Sequence, residues 1–174
     1  MTCKVSRRGV AASLAGLAAL IAAGPALADA LPSPTDKPIL TVSGKIAVTN
    51  KDETAQFDRS MLEGLGMVSI ETTTPWYSGP VKFEGVPLKA IMRAVDANGQ
   101  RIVAVALNDY SSEIPIEDVT KYEVILALKR NGEYMTVRDK GPLFIVYPFD
   151  SSPELKSQAF YGRSVWQVAK LVVK

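Results

Sequence analysis

The sequence predicts an α+β domain, and three observations carry that expectation. Apolar runs of strand length recur along the chain, at Ile102 to Leu107, Val124 to Leu128 and Leu143 to Tyr147. One segment, Leu88 to Val95, instead spaces its apolar residues at helical intervals. Turn-forming pairs such as Asn98-Gly99 and Asn131-Gly132 separate these pieces, which leaves room only for short elements. With 47% apolar and 22% charged side chains, the 174-residue chain has the composition of a globular protein and carries no internal repeat.

Residues 1–28 read as an export signal. Lys4, Arg7 and Arg8 precede an Ala/Leu-rich stretch from Val10 to Ala23, Gly24-Pro25 breaks it, and Ala26-Leu27-Ala28 places small residues before Asp29 as a cleavage site. The stretch is about 15 residues long, short of the roughly 20 that span a bilayer, so no stable membrane insertion is expected after cleavage. Ser6-Arg7-Arg8 matches the core of a twin-arginine signal, but bulky apolar residues do not follow it, and ordinary secretion is the plainer reading. The expected location is periplasmic or extracellular.

The elements follow in order. Residues 29–38 are proline-rich and expected to be extended, ahead of one domain over 39–174. Leu40, Val42, Ile46 and Val48 alternate around Gly44, which suggests a half-buried strand with a kink. Asp58 is placed to cap a short helix carrying Met61, Leu62 and Leu65, stopped by Gly66; Met67, Val68 and Ile70 then begin a strand toward Thr72. Pro87 stands at the start of a helix whose buried face is Leu88, Ile91, Met92 and Val95. The three apolar runs suit strands buried on both faces, with Asn131-Gly132 as a hairpin signal between the last two. Ser152-Pro153-Glu154 opens another short helix, and Val165 to Val173 closes the chain as a strand. The expected core is a mixed sheet of six or seven strands with about three short helices.

Charge and residue inventory exclude several functions. The three basic residues of the leader are not balanced by any acid, so the rest of the chain has 17 basic against 18 acidic side chains and lacks the basic excess of a nucleic-acid binder. There is no histidine, and the single cysteine, Cys3, lies in the leader. A histidine-based triad, a His/Cys zinc site, a disulfide and a cysteine nucleophile are therefore excluded for the processed chain.

Four loop clusters remain as candidates, since functional groups gather on loops held by a rigid sheet. Glu71 to Tyr77 offers three threonines beside Trp76 and Tyr77, either a polar pocket with a stacking wall or strand threonines with a packed tryptophan. Asn108-Asp109-Tyr110-Ser111-Ser112 stands at a strand exit, as ligand-binding groups or as a turn built by its own side chains. Arg138 to Pro142 reads as a charged turn. In Tyr161-Gly162-Arg163-Ser164 the glycine admits a ligand to the backbone and the arginine suits an anion. Thr72, Thr74, Trp76, Asp109, Tyr110 and Arg163 are expected to converge on one pocket. Arg163→Ala is expected to weaken an anionic ligand with a stability change within about 0.5 kcal/mol.

The order of segments resembles the oxidoreductase molybdopterin-binding domain of the sulfite oxidase superfamily, in its small exported stand-alone form. Phe83-Glu84-Gly85-Val86-Pro87-Leu88 is similar to that family's W-x-G-V-P-L, and Asn108-Asp109-Tyr110-Ser111 to its D-G-Y-S. Ile125-Leu126-Ala127 followed by Asn131-Gly132 is similar to L-L-A…N-G, Gly141-Pro142-Leu143 ahead of Pro148 to G-x-P-L-R-x-x-x-P, and Ser164-Val165 to the closing K-S-V-K-W. The resemblance spans most of residues 39–173 and implies that family's mixed α+β fold. A molybdopterin-type cofactor is implied by the resemblance alone.

The departures bear on function. Thr72 falls where catalytic members of that family carry the cysteine of C-x-x-x-W, and a protonated hydroxyl is a poor, hard ligand for a metal held through sulfur. Phe144 replaces the arginine after P-L, and the family's histidine contacts have no counterpart. Two readings follow. One is a non-catalytic binding protein for a small ligand, anionic or neutral, or for an exported or membrane-sensor partner. The other is an oxidoreductase-like protein that keeps the cofactor through other groups or a partner chain.

Overall fold

The computed structural model describes residues 1–2 and 31–174, so the expected export signal beyond its first two residues, together with Asp29 and Ala30, lies outside the described residues. In chain order the strands and α-helices are β1 (Leu40–Gly44), β2 (Ala55–Phe57), α1 (Arg59–Gly64), β3 (Val68–Thr74), β4 (Tyr77–Pro87), α2 (Leu88–Ala94), β5 (Arg101–Ala106) and β6 (Ser111–Pro115). They continue with α3 (Ile116–Lys121), β7 (Ile125–Arg130), β8 (Glu133–Tyr134), β9 (Phe144–Val146), α4 (Gln158–Arg163) and β10 (Val168–Val173). Single 3-10 turns lie at Val137–Asp139, Phe149–Ser151 and Pro153–Leu155.

The strands form two five-stranded sheets. The first has the order β2-β1-β10-β5-β6, with β1 and β10 parallel and its other pairs antiparallel. The second is antiparallel in the order β3-β4-β7-β8, and β9 pairs with the first half of β7. The main core lies between them: Leu40 and Val42 of β1, Ile102 and Ala104 of β5 and Leu171 of β10 share it with Val86, Leu126, Leu128 and the Leu88-Ile91-Met92 face of α2. Alternate residues of β7 point the other way. Ile125 and Ala127 join Val81, Phe83, Phe144 and Val146 in a second, smaller cluster. The α+β expectation holds in this two-sheet form.

Local chemistry explains the elements. Asp58 caps α1, its Oδ1 accepting from the Met61 amide at 2.9 Å, as its place in the sequence predicted. Gly44, at φ +90, ends β1 and turns the chain at the predicted kink. Pro87 sits immediately before α2 and gives no side-chain cap; the first amide of the helix bonds instead to the Val124 carbonyl. Gly85 lies at a bulge of β4 where a side chain would collide with the backbone of Leu126 and Ala127, so β7 comes this close only because no Cβ is present.

Three expectations need correction. Ile102 to Leu107 is not buried on both faces: Ile102 and Ala104 are fully buried, Val103 and Val105 only half-buried, and Leu107 is exposed, because only one face of the first sheet packs on the core, and even its central strand β10 alternates, with Leu171 buried and Lys170 exposed. The described strands number ten rather than six or seven, since β2 and β8 are too short, β6 too polar and the start of β4 too rich in Gly and Pro to show an apolar period. The described α-helices number four rather than three. Ser152-Pro153-Glu154 makes only a 3-10 turn, while α3 and α4, each of 6 residues, are too short to display a helical stripe.

Asp58 is a structural hub. It is fully buried, and its second oxygen accepts from the amides of Thr35 and Asp36, tying the lead-in segment to α1. Hydrogen bonds from the Met61 amide, the Ser60 hydroxyl and the Asp36 amide hold its carboxyl well below the usual carboxylate range. The stabilisation is therefore complete above the unfolded-state value of about 4 and is lost as pH falls below it. Asp58→Ala is expected to cost roughly 2–3 kcal/mol in denaturant unfolding at pH 7, and the difference from the parent should shrink at pH 3.

Candidate functional site

The β3–β4 hairpin turns through Pro75-Trp76, and its tip is fastened to the 3-10 turn after β9 by Asp150. The Asp150 carboxylate accepts from the Thr73 amide and, at 2.6 Å, from the Thr73 hydroxyl, while the Asp150 amide donates to Thr72 Oγ1 at 3.1 Å. Thr72 is 1% exposed, with its hydroxyl also directed to Asp150 at 3.4 Å. Lys156 pairs with the same carboxylate at 2.6 Å. The Lys156 ammonium first, then the two bonds from Thr73, hold the Asp150 carboxyl well below its ordinary range. Thr72 is thus a fastening residue within a hydrogen-bonded clasp. Thr74 serves the same turn, its Oγ1 accepting from the Trp76 amide at 3.4 Å.

The clasp presents Trp76 to a cleft of about 420 Å³. The hairpin turn after β5 contributes Asn108 and Tyr110, α4 contributes Gln158, Tyr161 and Gly162, and the segment entering β10 contributes Ser164, Val165 and Trp166. Trp76 is the hub of an edge-to-face cluster, with ring centroids 5.4 Å from Phe144, 6.1 Å from Phe149, 6.0 Å from Tyr161 and 5.7 Å from Trp166. Phe144, which the resemblance sets against an arginine, is fully buried and braces Trp76 from below the cleft. The Tyr110 hydroxyl donates to the Gly162 carbonyl at 3.4 Å, joining two walls. Among the described residues, no Lys, Arg, Asp or Glu lines this cleft.

Of the residues expected to converge, Trp76 and Tyr110 do, and the others do not line the cleft. Asp109 takes the left-handed position, φ +64, of the turn between β5 and β6, and Asn108 Oδ1 accepts from the Tyr110 amide, so the turn-building reading holds for both while Asn108 also faces the cleft. Arg138 to Pro142 forms the expected charged turn, in which Asp139 pairs with Arg130 at 2.7 Å.

Arg163 is drawn out of the site by Asp118. Its Nη1 lies 2.9 Å from Asp118 Oδ2, which also accepts from the Tyr147 hydroxyl at 2.8 Å, and its guanidinium stacks on Phe160 at 4.9 Å. Burial first, then the bond to Asp118, pushes the Tyr147 phenol above its ordinary range. This network ties α3, the end of β9 and α4 together. The sequence reading missed it because α3 went unrecognised and Asp118 was not singled out. Gln158 and Trp166 were missed as well, although alternation from the buried Val165 puts Trp166 on the outward side of the closing strand.

The architecture defines an α+β domain whose strand ends and last helix enclose an uncharged aromatic cleft. The chain belongs to the oxidoreductase molybdopterin-binding domain family, whose model matches residues 48–150. The match takes in Thr72, Trp76, Asn108 and Tyr110 and ends before α4 and Trp166, so the far wall of the cleft lies beyond it. A search of curated proteins found no match.

Thr72→Val keeps the shape but removes the acceptor of the Asp150 amide, and unfolding experiments should show a loss of about 1–2 kcal/mol with a change in Trp76 emission. Arg163→Ala should cost about 2 kcal/mol, not the 0.5 kcal/mol of an exposed position, because it leaves the nearly buried Asp118 carboxylate short of a partner. A loss below 0.5 kcal/mol in denaturant titration would show that Asp118 does not depend on it.

Proposed function

We propose that this chain is an exported, non-catalytic member of its family that binds a small ligand in the aromatic cleft. The observation that carries the reading is the commitment of Thr72. The hydroxyl standing where the resemblance puts a thiolate ligand is buried and bonded to Asp150, and the described residues include no cysteine or histidine. Nor do they include a cluster of three metal-binding side chains. The donor set therefore does not fit a metal held through sulfur. Among the described residues no cation lines the cleft to receive a pterin phosphate: Phe144 is buried beneath it and Arg163 is paired with Asp118.

These features favour a ligand held by ring faces and neutral hydrogen-bonding groups over the anionic ligand that Arg163 suggested. Export rests on the composition of residues 1–28. No described helix is long and apolar enough to cross a membrane. Family membership favours the rival reading, a cofactor kept through other groups or a partner chain. Metal analysis of the protein recovered from a host that makes molybdopterin separates the two. Folded protein with far less than one molybdenum per chain is expected, whereas stoichiometric molybdenum with pterin fluorescence overturns the proposal.

A further inference from the structure

The cleft walls meet as a corner, and that geometry selects a class of ligand. Trp76 stands at 76° to Tyr161 and at 85° to Trp166. A flat heterocycle gains most from parallel rings that cover both its faces, whereas perpendicular rings enclose a compact, rounded group. Among the described residues no lining side chain is charged, so a bound cation would be held by the ring systems alone, against the repulsion of the nearby Lys140 ammonium. The ring system already accepts a cation: the Lys140 ammonium, which does not line the cleft, lies 4.2 Å from the Trp166 centroid and 5.6 Å from that of Tyr77. A quaternary ammonium is the compact group best suited to such a site, because it is poorly hydrated and attracted by ring faces within about 6 Å.

Resting on the binding reading above, we propose that the cleft takes a small quaternary-ammonium compound, its methylated head among Trp76, Tyr161 and Trp166 and its polar end toward Asn108 and Gln158. Asn108 Oδ1 is already used by the Tyr110 amide, so its NH2 group is the side that meets the ligand as a donor. A donor there suits the hydroxyl of a choline-type cation or the carboxylate of a betaine.

The test is calorimetric titration of the full chain with choline, glycine betaine and 3,3-dimethylbutan-1-ol, the uncharged carbon isostere of choline, with indole as a flat probe. Choline or betaine should bind roughly tenfold or more tightly than the isostere, the better of the two identifying the polar end. Trp166→Ala should weaken that ligand roughly tenfold in protein that stays folded, and Trp166→Phe should restore part of the loss. Lys140→Met should tighten choline while leaving the isostere unchanged. Equal binding of isostere and choline overturns the proposal. Binding of indole in place of the ammonium compounds overturns the ligand class and leaves the binding reading standing. Binding of no probe also overturns the class, and the molybdenum content then decides the binding reading separately.

Discussion

The bonds between Asp150 and the Thr72-Thr73 pair join the tip of the β3–β4 hairpin to the turn after β9, and the cleft depends on that join. Trp76 sits in the two-residue turn beyond the clasp, with no strand pairing of its own to position it. The carboxylate anchors two backbone segments almost 80 positions apart, and Lys156 compensates its charge. Charge-assisted hydrogen bonds of this kind are stronger than neutral ones, which is why a few atoms suffice to fix a loop.

The same residues bear on the chemistry its family name suggests. A thiolate ligand must be deprotonated and directed at the metal, whereas Thr72 is directed at a neighbouring carboxylate and amide. Phe144, which the resemblance sets against an arginine, closes the second core under Trp76. Both side chains are structural here, and what they support is an aromatic surface. The function proposed above follows from that surface.

Much of the fold was legible because its main elements are periodic. Asp58, the apolar face of α2 and the doubly buried β7 each announce themselves through residue type and spacing. Short or polar elements were not legible. β6 begins with two serines and ends in proline, and α3 has 6 residues, so neither carries a pattern long enough to see. The site was half legible for a related reason. Trp76 and Tyr110 stand out as aromatics in polar loops, but the fate of Arg163 depends on Asp118, 45 positions earlier, and no local pattern reveals that pairing. Thr72 could be aligned with a ligand position by resemblance; only the folded chain shows that its hydroxyl is already in use.

Amide hydrogen exchange at Thr73 and Asp150 tests the clasp most directly. Thr73 lies at the end of β3 opposite Pro80 and Asp150 in a 3-10 turn, yet each amide donates to the other segment, and both are expected to be protected to nearly the level of β7. Exchange at the rate of an open loop, in folded protein near neutral pH, would mean that the hairpin tip is not held and that the cleft has no fixed wall.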